Sequence, residues 1–325
     1  MRRFLAFLLL AALLITAPAL AWAKNANRVV WKVFELPDPR KTDAYSRANL
    51  AVVEAFRKKF PHIELRAFSG IQIENMDLDA GPLMAIAGGV APDILYVNFR
   101  QSDTYIQNNF LYPLDEFLAS EDPAALSLRV EQPVWQVIRR ARKGSKTEYT
   151  WMLPYETLVR VLMYRKDVFR RAGLDPQKPP RTWDEFFAYA RRLTDPERGA
   201  WGTVLASGPQ AAYDWLPFLW GAGGEAVTYD PKKQEWRASF AGEEGEVALD
   251  FYLKLVATKW HDNQGRPQTG FALREGDWGY LWQEGKIGMR MDYLSQQNLG
   301  GVYDPNLYAF APAPAGCCAP TRWTA

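Results

Sequence analysis

The chain has 325 residues, 48% hydrophobic and 23% charged, with 39 Lys and Arg against 37 Asp and Glu for a formal charge of +2. That balance supplies real cores and excludes both an intrinsically disordered chain and a nucleic-acid surface, because the basic residues fall in short, scattered groups such as Arg57-Lys58-Lys59 and Arg139-Arg140. The only cysteines, Cys317 and Cys318, are adjacent. Neighbouring Cα atoms lie about 3.8 Å apart, inside the roughly 4.4 Å lower edge of ordinary disulfide geometry, so no disulfide framework is expected.

In chain order, Arg2 and Arg3 precede an apolar run from Phe4 to Ile15, and Ala21-Trp22-Ala23 follows. This is the build of a signal peptide cleaved after Ala23, and the run is short of the roughly 20 apolar residues a membrane span needs. An uncleaved anchor is the alternative. No cysteine near the cleavage point offers a lipid anchor, so a periplasmic protein is expected, and the remaining 300 or so residues read as about two domains.

Val29 to Phe34 is β-branched and aromatic and is expected to be a buried first strand. Between Asp43 and Phe60 apolar residues recur at helical spacing, Pro61 stops them, and Ile63 to Phe68 alternates as a second strand. Strand, helix and strand make a βαβ unit with a parallel pair. A helix near Gly81 to Ala87 and a strand at Ile94-Leu95-Tyr96-Val97 extend the pattern. Ligands of open α/β sheets sit beyond the carboxyl ends of strands, which marks Glu35 and the residues from Asn98 to Arg100 as candidate contacts.

A second lobe begins with the strand Val159 to Tyr164. Thr182 with Glu185 forms a capping box ahead of the stripe Phe186, Tyr189 or Ala190, and Leu193. Val247, Phe251 and Leu255 predict another helix, followed by a polar stretch from His261 to Gly270. There is no internal repeat.

These pieces fall in a recognisable order. Phe56-Arg57-Lys58-Lys59-Phe60-Pro61 is followed by Gly89-Val90-Ala91-Pro92-Asp93-Ile94 and by Asn109 to Asp115, then by Leu162 to Gly173. The helix start from Pro180 to Leu193, Trp220-Gly221-Ala222-Gly223-Gly224 and Trp282 to Met289 complete the series. From about residue 28 to 315 the chain resembles the extracellular solute-binding proteins of sugar-importing ABC transporters, the maltose-binding-like group. The resemblance implies an α/β, two-lobed periplasmic-binding-protein fold of type II, with a signal peptide at 1–23, a first lobe of 24–156 plus 290–325, and a second lobe of 157–289. It also implies capture of a mono- or oligosaccharide by hinge closure and delivery to permease subunits in the membrane by a monomer that is not an enzyme.

By the same resemblance the chain crosses between lobes near Tyr155-Glu156-Thr157 and returns near Met289 to Tyr293. Tyr155 and Glu156 are carried over as ring and hydroxyl acceptor, Asn98 and Arg100 as polar contacts, Tyr213 and Trp220 as stacking rings, and Asp292-Tyr293 as contacts at the return crossing. Trp278 and Trp282 fit a helical i, i+4 stripe and are assigned to packing.

An exported glycoside hydrolase is the rival reading, with Glu35, Glu156 and Asp292 as conceivable carboxylates. His62 and His261 stand in unrelated contexts, and no histidine-based zinc motif, Gly-x-Ser-x-Gly elbow or phosphate loop is present. No cofactor or metal is expected. Polyols, glycerol phosphates and peptides remain open as ligands. After Pro314 the sequence leaves the family pattern and ends through Gly316 to Ala325, which predicts a second lobe lacking its last helices, by truncation, frame shift or natural shortening.

Overall fold

Val29–Val33 forms β1, where β-branched and aromatic side chains suit an extended backbone. Ala44–Lys59 forms α1, whose N-cap Asp43 accepts from the Ser46 amide at 2.9 Å and whose last turn carries Arg57, Lys58 and Lys59 at the end the helix dipole makes negative. It leads into β2, Ile63–Ala67, paired parallel to β1 from Val29↔Ile63 to Val33↔Ala67. The βαβ unit is therefore present. This computed structural model describes residues 28–68, 80–155, 158–205, 207–208, 210–233, 235–274, 278–294 and 304–316. The leader at 1–23, Glu156 and the cysteine pair lie outside them.

Two expectations for this sheet are corrected. The strand at 94–97 reduces to one parallel bridge, Val33↔Ile94, with the Phe34 amide donating to the Ile94 carbonyl at 3.0 Å. Of β1 only Val33 is buried, while Val29 and Val30 are exposed. The described sheet is two-stranded, and strands bury both faces only where layers cover a sheet on each side. The chain continues through α2 (Ala80–Ala87), α3 (Phe99–Gln107), the short α4 (Asp115–Leu118), α5 (Pro123–Ser127) and α6 (Gln132–Ile138) to the hairpin of β3 (Arg139–Ala141) and β4 (Glu148–Thr150).

The backbone divides into two compact units, Met1–Glu156 and Thr157–Ala325. The second runs through β5 (Val159–Arg165), α7 (Lys166–Arg171), α8 (Trp183–Leu193), β6 (Thr203–Val204), α9 (Gln210–Gly221), β7 (Val227–Asp230) and β8 (Glu235–Ala238). It continues with α10 (Glu243–Ala257), β9 (Lys259–His261), β10 (Pro267–Thr269), β11 (Ala272–Leu273), α11 (Trp278–Gln283), β12 (Met289–Leu294) and β13 (Tyr308–Ala311). β5 is the middle strand between β12 and β13, antiparallel to both. Residues 290–294 and 304–316, expected with the first lobe, therefore belong with the second unit. Met289 and Met291 bury against Leu162 and Tyr164 on one face of β5 and Tyr308 against Met163 on the other, and the ladder hydrogen bonds hold them there.

The larger of two apolar clusters in this unit forms around α8. Thr182 caps α8 through a complete capping box, its hydroxyl accepting from the Glu185 amide at 3.2 Å, and the helix buries Trp183, Phe186, Ala190 and Leu193. They meet Leu162 and Tyr164 of β5, Phe218 and Leu219 of α9, Phe251 and Leu255 of α10, and Met289 and Met291 of β12. Trp183 stacks on Phe251 at 4.7 Å, and its indole N–H donates to the Pro314 carbonyl at 3.1 Å. The polar stretch after His261 is the turn of the β9–β10 hairpin. Gly202 lets β6 approach α8 so closely that a Cβ there would stand 2.0 Å from the Ala190 carbonyl oxygen.

Two substitutions check this account by urea unfolding at unchanged m-value. Thr182→Ala is expected to cost about 1 kcal/mol, the worth of one N-cap. Gly202→Ala is expected to cost about 3 kcal/mol, since a backbone carbonyl cannot yield as a side-chain tip can.

Candidate functional site

In the first unit the carboxyl ends of β1 and of the Ile94 bridge point the same way, because the pairing is parallel. Glu35 lies there, exposed, one residue beyond the Phe34 ring, whose centroid is 5.8 Å from that of Tyr96. Asn98 stands just ahead of α3, where its side-chain oxygen accepts from the Gln101 amide at 3.2 Å, so it holds the helix start. Arg100 is in the first turn of α3, and its side chain is not described. Tyr155 is exposed, and its hydroxyl lies 2.9 Å from that of Tyr45 on α1, with Asn49 Oδ1 at 3.5 Å.

The second unit gathers more. In the β5–β12 pair Tyr293 stands directly opposite Arg160 and Asp292 opposite Val161. Side chains alternate along a strand, so Met289, Met291 and Tyr293 share one face of β12, and Arg290 and Asp292 the other. On the first face the core ends at Arg160, whose guanidinium lies 4.8 Å from the centre of the Tyr293 ring. Its Nη1 and Nη2 donate to Asp214 Oδ1 of α9 at 3.1 and 3.0 Å, and Nη1 also donates to the Tyr213 carbonyl. Both side chains of this ion pair are nearly buried, at 13% and 12% exposure. Tyr252 of α10 feels the Asp214 charge, and burial first, then that carboxylate, push its phenol up to about 12, so it stays a neutral hydroxyl.

On the opposite face Arg290 pairs with Asp292 and lies against the indoles of Trp278 and Trp282. Burial pulls its guanidinium below its ordinary range, against the opposing pull of Asp292 and Tyr308. The two faces thus present guanidinium donors and carboxylate acceptors beside aromatic rings, Arg160 with Tyr293 toward the Leu294 end of the strand pair and Arg290 with Trp278 and Trp282 toward its Met289 end. Such a set suits hydroxyls, which donate and accept at once and hang from C–H faces that pack on rings.

The structure accordingly sets the Tyr213 backbone carbonyl and the Tyr293 ring around Arg160, with Asp292 on the opposite face of β12. Trp220 is half exposed and lies two turns beyond Tyr213 along α9, about 10 Å up the helix axis. The sequence reading missed Arg160, Asp214 and Arg290. The alternation Met289-Arg290-Met291-Asp292 carried a signal for two strand faces. Nothing local marked Asp214, which owes its place to a partner 54 residues away.

Residues 39–317 match the family model described as bacterial extracellular solute-binding protein. The chain belongs to this family. A mannitol-binding protein of Pseudomonas aeruginosa is 28% identical over 168 residues, 50% of this chain and 36% of that protein. The sn-glycerol-3-phosphate-binding periplasmic protein UgpB of Escherichia coli is 45% identical over 117 residues, 36% of this chain and 26% of that protein. The chain thus spans about a third or less of these relatives' length. Among solved structures, a solute-binding protein of Thermotoga lettingae bound with α-D-tagatose superposes with a TM-score of 0.62 at 21% identity, covering 89% of this chain and 68% of that one. The GacH receptor of Streptomyces glaucescens gives 0.64 at 19% identity over 89% and 68%. UgpB of Mycobacterium tuberculosis with glycerophosphocholine gives 0.63 at 15% identity over 90% and 66%. At such identities the likeness establishes the solute-binding-protein fold.

The Arg160–Asp214 pair generates a test of the site's framework. Asp214→Ala leaves a nearly buried guanidinium uncompensated and is expected to cost about 3 kcal/mol. The double replacement Arg160→Met with Asp214→Leu is expected to be more stable than that single variant, because it buries no unpaired charge. Urea unfolding followed by circular dichroism reads both.

Proposed function

We propose that this solute-binding protein is the capture subunit of an ABC importer, holding a small hydroxylated solute outside the cytoplasmic membrane and handing it to a permease, and that it binds without turning its ligand over. The reading rests on one observation above others. Tyr293, Arg160 and Asp214 meet at the end of the β5–β12 pair, with Asp292 and Arg290 on its other face, in a chain matching the family over residues 39–317. Both guanidinium groups already carry a carboxylate, so the set offers paired donors and acceptors without a large excess charge. The relatives named for mannitol and sn-glycerol-3-phosphate, and the neighbours solved with tagatose or glycerophosphocholine, widen the solute class from sugars to polyols and glycerol phosphates.

In the first unit we assign Glu35, Asn98, Arg100, Tyr155 and Glu156 to the solute, and in the second Tyr213, Trp220, Asp292 and Tyr293. Closure of the units on the solute is the signal a permease would read, and the leader at 1–23 supplies export. The test uses purified full chain with mannitol, ribitol, tagatose, sn-glycerol 3-phosphate and glycerophosphocholine, following melting temperature, calorimetric heat and product formation together. At least one solute is expected to stabilise the protein, by about 2.7 kcal/mol at a hundredfold excess over its dissociation constant. Product formation would convict the hydrolase reading instead, and no heat with any solute would remove the capture role.

A further inference from the structure

Trp278, the first residue of α11, is 49% exposed, whereas Trp282, one turn later, is 3% exposed. Residues four apart on a helix share a face, so the stripe that anchors α11 through Trp282 carries Trp278 out to the rim. The apolar cluster beneath, formed by Met163, Trp282, Ile287 and Tyr308, closes without Trp278. The assignment of both indoles to packing therefore holds for Trp282 alone.

Arg290 explains where the second indole is kept. Its guanidinium carbon lies 5.0 Å from the Trp278 ring centre and 4.6 Å from that of Trp282, and its Nη2 pairs with Asp292 Oδ2. Only 8% of Arg290 is exposed, and among the described residues its buried Nε has no hydrogen-bond partner. A cation so desolvated is kept by the ring faces and the carboxylate, and in turn it fixes the plane of the half-exposed indole. Asp292 follows Arg290 on the same strand face; its Oδ2 pairs with the guanidinium that holds the ring and its Oδ1 accepts from the Tyr293 amide at 2.7 Å, each oxygen keeping a second lone pair for a further donor. Trp220, equally exposed, has no cation packed on its ring among the described residues.

We propose that Trp278 is the aromatic platform of the second unit, stacking the C–H face of an uncharged polyhydroxylated solute while Asp292 accepts from one of its hydroxyls. The platform rests on the solute-binding reading above, and it adds Trp278 to the stacking rings that the family resemblance placed at Tyr213 and Trp220.

The experiment measures mannitol, ribitol and tagatose binding by calorimetry for wild type, Trp278→Ala, Trp278→Phe and, as a control on an exposed indole outside the site, Trp236→Ala, with melting curves of each. Trp278→Ala is expected to weaken binding at least about tenfold, as loss of a central aromatic anchor does, and Trp278→Phe to restore most of it. Trp236→Ala is expected to leave affinity unchanged within about threefold. Equal affinity for wild type and Trp278→Ala overturns the platform, and so does a weakening that Phe fails to restore alongside a large loss of melting temperature. Because Trp278→Ala could fail to fold, wild type is also oxidised with N-bromosuccinimide and mapped by peptide mass spectrometry. Solute is expected to shield Trp278 and to leave Trp236, 70% exposed, unprotected. Heat without protection of Trp278 overturns the platform and leaves the capture role standing; absence of heat with every solute overturns both.

Discussion

The antiparallel pairing of β12 with β5 is the constraint on which the rest of the second unit depends. Its register, from Met289↔Tyr164 to Leu294↔Val159, joins segments far apart in sequence and settles every side chain's face together, since a slip of one residue would exchange the faces. In the observed register Leu162, Tyr164, Met289 and Met291 enter one core, while Met163 joins Trp282, Ile287 and Tyr308 in another. A polar residue follows each apolar run at the strand pair's end, so the site grows out of the same ladder that holds the cores.

Charge along this strand pair is managed by proximity. Arg160 and Arg290 are too buried to rely on water, and each is matched by a carboxylate and by aromatic faces. A buried ion pair adds little net stability, because desolvation offsets the attraction, but removal of one partner is costly. The arrangement therefore fixes geometry more than it adds stability. Fixed donors, acceptors and rings are what recognition of a hydroxylated solute needs, since side chains that need not be ordered on binding lose less entropy there.

The units differ in how tightly they are closed. The second has a continuous core around Trp183, Phe186, Phe218 and Phe251. The first keeps its deepest packing around Tyr105, Ile106, Ile138 and Trp151, while α1 buries none of its residues fully and Val52 on it is 69% exposed. Membership of the solute-binding family is carried by the whole span from 39 to 317, and the organised polar chemistry described here lies mainly in the second unit.

Much of the local structure was legible in the amino-acid sequence. The βαβ unit, the capping box at Thr182 and the stripes of α8 and α10 depend on spacings of two to four residues, and short-range sterics and hydrogen bonding decide them. The family resemblance follows from the order of such pieces. Tertiary structure alone decided that residues 289–294 join the second unit, that Arg160 finds Asp214, that Asn98 holds a helix start, and that Trp278 is left at the rim while Trp282 is buried. Periodicity tells which residues share a face, but what lies across from that face is set by strand register and helix docking between segments distant in the chain. Local elements were written in the sequence's short-range pattern; partners and exposure came only with the packed fold.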